Sequence, residues 1–145
     1  MSRIQLALNV SNLDESVAFY SRLLEVEPAK RRPGYANFAV AQPPLKLVLI
    51  ENAAQAGTLN HLGVEVETSE EVAGVEQRLQ ARGLKTKTEN QVTCCYAEQD
   101  KVWVNDPDRA PWEIYTVLND SQIPYGNVQA EKSTPCPPAC VSNRS

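Results

Sequence analysis

The pattern of apolar periodicity in this chain runs through once and then starts again, and an internal repeat constrains architecture more than any single motif. In the first copy, residues 3–10 alternate so that Ile4, Leu6, Leu8 and Val10 share a face, as a strand requires. Asn12 or Asp14 caps a helix carrying Val17, Phe19, Tyr20, Leu23 and Leu24 at helical spacing, and Pro28, Pro33 and Gly34 punctuate its exit. Residues 35–40 and 45–50 read as strands around a Gln42-Pro43-Pro44 turn. In the second copy, residues 61–66 form a strand. Thr68 or Ser69 then caps a helix through Val72, Val75, Leu79 and Ala81, which Gly83 ends. Residues 84–88 read as a short strand and 91–96 as a loop. Residues 97–104 and 112–118 read as strands around an Asp106-Pro107-Asp108 turn. The order is βαβββ twice, with Gln5 aligned on His61 and Lys46 roughly on Glu113. The expectation is an α+β fold: two βαβββ modules, about residues 1–52 and 58–118, pairing their curved sheets around a cleft.

Composition narrows the partners. The 145 residues suffice for one compact domain. A net charge of −4 without a basic stripe argues against nucleic acid or an anionic membrane. The opening MSRIQLALNV lacks the long apolar run of a signal peptide, and no stretch approaches the roughly 20 apolar residues of a membrane helix. The cytoplasm is the expected location. Over residues 119–145, small and polar residues and prolines replace large apolar ones, which predicts a flexible C-terminal tail. That tail carries Cys136 and Cys140, either an auxiliary soft-metal site or an incidental thiol pair; a zinc site would need two more ligands. The other two cysteines, Cys94 and Cys95, are adjacent. Two tight pairs in a chain without secretory features point to ligand chemistry rather than to disulfide staples.

The duplicated pattern resembles the vicinal oxygen chelate superfamily, which includes glyoxalase I, extradiol dioxygenases and fosfomycin-resistance proteins. In that superfamily the metal ligands come from the first and last strands of each module and face the cleft. The resemblance therefore selects Gln5, Lys46 or a neighbour, His61 and Glu113. Four segments carry a more specific likeness: RPGYANFAV (32–40), PPLKLVLIE (43–51), NHLGVE (60–65) and TCCYAEQDKVWV (93–104). They are similar to the organoarsenical C–As lyases of the ArsI type and the cadmium-induced proteins related to them. The likeness spans roughly residues 1–118, and Cys-Cys-Tyr-Ala is its most diagnostic part. It implies an Fe(II)-dependent dioxygenase, in which Ni, Co or Mn can substitute and dioxygen is co-substrate. The implied reaction breaks the carbon–arsenic bond of trivalent organoarsenicals such as methylarsonous acid to give arsenite. It also implies Gln5, His61 and Glu113 as metal ligands, His61 and Glu113 as catalytic groups, and Cys94 and Cys95 as the substrate-binding pair. Assembly stays open between monomer and homodimer.

The residue types suit that chemistry. His61 is the one histidine in the chain; in another context a strand histidine is an ordinary core or surface residue. Imidazole, carboxylate and amide oxygen make a mixed N/O set that suits Fe(II), Mn(II), Ni(II) or Co(II) and leaves positions open. Gln5, neutral, is a weaker ligand than histidine. Alternation puts Glu113 on one face with Tyr115 and Val117, toward the cleft rather than solvent, and a metal would offset the cost of burying it. Thiolates prefer soft ions such as cadmium or trivalent arsenic, and two neighbouring thiols form the second bond at high effective concentration. A loop frees the pair from the opposite-face alternation of a strand. The carbon substituent of arsenic then stays free to face the metal. Lys101 is either a cation favouring thiolate or a solvated surface lysine. Phe38, Tyr96, Trp103 and Tyr115 read as core rather than pocket. Two other readings remain open: a cadmium- or arsenite-binding protein without turnover, and a different superfamily reaction such as isomerisation or extradiol ring cleavage.

Overall fold

The computed structural model describes residues 2–123 and 125–127. Its strands are β1 (Arg3–Val10), β2 (Lys30–Arg32), β3 (Tyr35–Val40), β4 (Leu45–Glu51), β5 (Leu59–Glu65), β6 (Lys87–Cys94), β7 (Ala97–Asn105), β8 (Pro111–Asp120) and β9 (Tyr125–Asn127). Its α-helices are α1 (Leu13–Leu24) and α2 (Ser69–Ala81). The strands form one curled sheet in the order β2-β3-β4-β1-β5-β8-β7-β6-β9. The two modules therefore join within one chain, through the antiparallel pair β1–β5. That seam has the symmetry of the repeat: Gln5 opposes Gly63 and Ala7 opposes His61, two pairs that a 56-residue offset exchanges.

Both helices start where side chains satisfy their free N–H groups. Asn12 accepts from the Glu15 amide, and Thr68 with Glu71 makes a capping box. The apolar stripe of α1 packs Leu13 and Val17 against Val10, Phe38, Leu47 and Leu49, so Phe38 belongs to the core as expected. In α2, Val72 packs against Val102 and Ile114. Both helices thus cover the same side of the sheet. Strand alternation sends the intervening residues to the concave side: Gln5 and Ala7 of β1, Lys46 and Val48 of β4, His61 and Gly63 of β5, Lys101 and Trp103 of β7, Glu113 and Tyr115 of β8.

Some elements differ from the sequence expectation. Basic residues flanked by prolines hid β2, which pairs with β3. β6 starts at Lys87, not Leu84, and runs through Cys94, so residues 91–94 are strand rather than loop. A register shift between Glu89 and Val92, with Gln91 at φ 53°, breaks the alternation that would have revealed it. Because Cys94 pairs with Ala97, only Cys95 and Tyr96 form the turn. Both have positive φ, 55° and 62°, as a two-residue type I′ hairpin demands, although such turns favour Asn-Gly. β8 extends to Asp120, and β9 adds a ninth strand against β6. The rest of the expected tail, with Cys136 and Cys140, lies outside the described residues. Among the described residues, no helix is long and apolar enough to cross a membrane.

Candidate metal centre and thiol pair

Three side chains from three adjacent strands converge on the concave face. Gln5 Nε2 lies 2.8 Å from Glu113 Oε1 and 3.2 Å from His61 Nε2, and the imidazole and carboxylate are 3.3 Å apart. All three residues are buried. Donors bonded at about 2.1 Å and at right angles around one ion stand about 3.0 Å from each other, so the three separations fit a shared metal. The chemistry of the set fits as well. His61 Nε2 and Glu113 Oε1 both face the Gln5 amide nitrogen, a hydrogen-bond donor in the place where a cation would satisfy them. Ligation by Gln5 needs its oxygen turned inward, and the surroundings tolerate that half-turn. Tyr115 donates its hydroxyl to Gln5 Oε1 and lies 3.2 Å from Glu65 Oε2. With the amide reversed, the same hydroxyl donates to Glu65 and accepts from Gln5 Nε2. Burial, with the Glu65 and Glu113 carboxylates nearby, pushes Tyr115 well above the ordinary tyrosine value and keeps that proton in place.

The carboxylate has a second partner. Lys101 Nζ sits 2.8 Å from Glu113 Oε2, both side chains buried, so Glu113 has one oxygen left for a metal. Burial alone would raise the Glu113 pKa, but the Lys101 and His61 charges outweigh it and hold the carboxyl well below the usual carboxylate range. Trp103 stands edge-on to the imidazole at 5.6 Å and donates its indole N–H to Glu89.

The sulfur pair opens on the same face. Cys94 is fully buried and Cys95 half-buried, and their sulfurs are 3.4 Å apart, beyond a covalent S–S bond. Cys95 is a free cysteine and Cys94 is not, so a two-thiol site requires reducing conditions. Cys95 packs against the apolar cluster formed by Ala7, Tyr35, Val48, Ile50 and Tyr96, and Ala7 is the direct cross-strand partner of His61. Burial pulls the Lys46 pKa below the ordinary lysine value, against the pull of the nearby Glu65 carboxylate. The turn is held from several sides. Tyr96 donates its hydroxyl to the Pro33 carbonyl, and its own carbonyl accepts from Lys30 Nζ and the Ser121 amide.

A family profile described as the Glyoxalase/Bleomycin resistance protein/Dioxygenase superfamily matches residues 3–114. The chain belongs to this superfamily. Within it, the chain is 61% identical over 122 residues to a cadmium-induced protein, CadI, of Mycobacterium tuberculosis, covering 84% of this chain and 80% of that one. It is 54% identical over 139 residues to a trivalent organoarsenical cleaving enzyme of Thermomonospora curvata, covering 95% and 90%. Solved structures of the same fold include an extradiol ring-cleaving dioxygenase from B. fuscum, with TM-score 0.59, 21% identity, 83% of this chain and 34% of that one. A Mn(II)-bound glyoxalase from Novosphingobium aromaticivorans aligns with TM-score 0.57, 17% identity, 88% and 42%.

The superfamily frame also corrects two readings. Lys46 does not occupy the place of Glu113 in the first module. The parallel pairs Ala7–Val48 and Gly63–Glu113 are equivalent under the repeat, so Val48 stands there and supplies no ligand. Lys46 Nζ instead lies 3.6 Å from Glu65 and over the Tyr115 ring. Lys101 is neither a solvated lysine nor primarily a thiol partner, because its ammonium is committed to Glu113. Gly63 was missed altogether. A Cβ there would sit 2.9 Å from the Glu113 carbonyl oxygen, 3.0 Å from Glu113 Cγ and 3.3 Å from Gln5 Nε2. Gly63→Ala is therefore expected to lower stability by about 1–3 kcal/mol and to weaken Ni(II) affinity by spreading two candidate ligands. Urea unfolding and metal titration check this, and a variant matching wild type in both would show that the cluster tolerates displacement.

Proposed function

We propose that this superfamily member is a non-haem Fe(II)-dependent dioxygenase that cleaves the carbon–arsenic bond of trivalent organoarsenicals. Gln5, His61 and Glu113 would hold the iron, which supplies the dioxygen chemistry when bound. The observation that carries the reading is the 3.4 Å sulfur pair on the concave face that also bears the Gln5–His61–Glu113 cluster. Two bonds of about 2.3 Å bridging that spacing meet at about 95°, which suits pyramidal trivalent arsenic. Two reduced cysteines displace two hydroxyls: CH3As(OH)2 and two S–H groups give the dithiolate and two waters. The methyl group keeps the third position, toward the imidazole and carboxylate, so the chain's contribution is positioning. The overall reaction balances without an outside reductant, since CH3As(OH)2 plus O2 equals As(OH)3 plus formaldehyde. Arsenic stays trivalent, and carbon donates the four electrons that dioxygen takes up. The reading places the enzyme in the cytoplasm, where reducing conditions keep both thiols available.

The cadmium-induced relative supports a second reading, in which the same sulfurs bind a soft metal without turnover. Purified protein given Fe(II), oxygen, a thiol reductant and methylarsonous acid separates the two. Catalytic release of arsenite with equimolar formaldehyde supports the enzyme. Stoichiometric cadmium binding with no arsenite release would replace it with sequestration.

A further inference from the structure

His61 is anchored from behind by a chain of polar side chains that the proposed chemistry does not use. Its Nδ1 lies 2.8 Å from Asn60 Oδ1; Asn60 Nδ2 donates to Asn9 Oδ1 at 2.9 Å; Asn9 Nδ2 donates to Thr58 Oγ1 at 2.9 Å; and Thr58 donates to the Gln55 carbonyl at 2.6 Å. Asn9, Asn60 and His61 are all buried. The chain ends in the segment that joins the two modules, and the main chain fixes it there: Asn9 N–H donates to Thr58 O, and Gly57 N–H donates to Asn9 O.

An imidazole has one N–H to give when neutral, and the hydrogen bond at one nitrogen sets which nitrogen keeps its lone pair. The amides run head to tail, each donating toward Thr58 and accepting from the histidine side. The hydroxyl at the end discharges the series into a carbonyl. At the inner end Asn60 Oδ1, an amide oxygen that can only accept, lies 2.8 Å from His61 Nδ1. A proton on Nδ1 completes this series. It leaves the Nε2 lone pair aimed at Gln5 and Glu113.

We propose that Asn60, backed by Asn9 and Thr58, is a positioning residue that locks His61 as the Nδ1–H tautomer and makes the inter-module linker part of the metal centre. The metal half of this statement rests on the proposed function; the tautomer half does not. A partner behind a ligating histidine fixes the ring and raises its basicity, and its loss costs about 10–100-fold in metal affinity.

Because His61 is the sole histidine, ¹⁵N-labelled metal-free protein gives one imidazole signal pair. In the neutral imidazole the expected spectrum has a protonated Nδ1 and an unprotonated Nε2. The reverse tautomer, or an even mixture, overturns the proposal without any mutation. Ni(II) titration supplies the second arm. Asn60→Leu is expected to weaken binding about 10–100-fold, while Asn60→Asp, which keeps the acceptor, stays within about threefold of wild type. Unchanged affinity in N60L, with a wild-type protein that binds Ni(II), would reduce the series to a structural role. If wild type binds no Ni(II) or Fe(II) yet shows the Nδ1–H spectrum, the proposed metal centre fails and the tautomer lock stands.

Discussion

Replacing Cys94 and Cys95 together by serine is expected to eliminate arsenite release from methylarsonous acid and to leave Ni(II) affinity unchanged. The physical reason is the separation of tasks on the concave face. In the proposed function sulfur would hold the soft arsenic and the N/O cluster the harder ion, and no side chain belongs to both sets. The single variants should fall between. Each keeps one arsenic–sulfur bond but loses the second, intramolecular one, whose advantage is about 10²–10⁴ in affinity. Isothermal titration with methylarsonous acid under reducing conditions measures the binding loss, and arsenite appearance measures the turnover loss. A double variant that still turns over at the wild-type rate would remove the thiols from the reaction. A double variant that also loses Ni(II) would mean that the turn shapes the metal cluster, contrary to the division of labour.

The second large effect concerns Lys101. In the absence of metal its ammonium is the chief counter-charge of a carboxylate sealed from water. Lys101→Met keeps much of the volume and removes the charge, leaving Glu113 uncompensated. Breaking one side of a buried pair typically costs about 3–5 kcal/mol, and urea unfolding of metal-free protein should show a loss of that order. A divalent ion ligated by Glu113 restores positive charge beside it. Saturating Ni(II) should therefore stabilise K101M more than it stabilises wild type. The double variant K101M/E113Q, with no charge left to bury, should recover most of the loss while binding metal poorly. Equal stability of K101M and wild type without metal would show that Glu113 finds another counter-charge or takes up a proton at little cost.

The repeat made the fold legible. A 56-residue offset carried by strand alternation, two capped helices and apolar stripes specifies two modules, because each unit exposes an apolar face that only a partner layer can cover. The same alternation placed Glu113 and Tyr115 on one face, and the structure agrees. The motif residues around Cys94-Cys95, together with His61 and Gln5, could be named because the resemblance attached to particular positions. β6 could not be delimited, since a bulge cancels the period-2 signal just where it was needed. β2 escaped because three basic residues carry no apolar pattern.

Residues 5, 61, 94, 95 and 113 are candidates because the family resemblance selects them, and that resemblance attaches to local order: residue type, spacing and period are properties of neighbours along the chain. What folding added depends on distance across strands. The antiparallel seam between β1 and β5 decided that both modules come from one chain and set Gly63 between two of the candidate ligands. Sheet register put Val48 rather than Lys46 opposite Ala7, and a buried ion pair turned Lys101 from an apparent surface residue into the partner of Glu113. Such assignments follow from which side chains exclude water together. No one-dimensional pattern records that, because the groups involved are separated by up to 108 positions in the chain and by about one hydrogen bond in space.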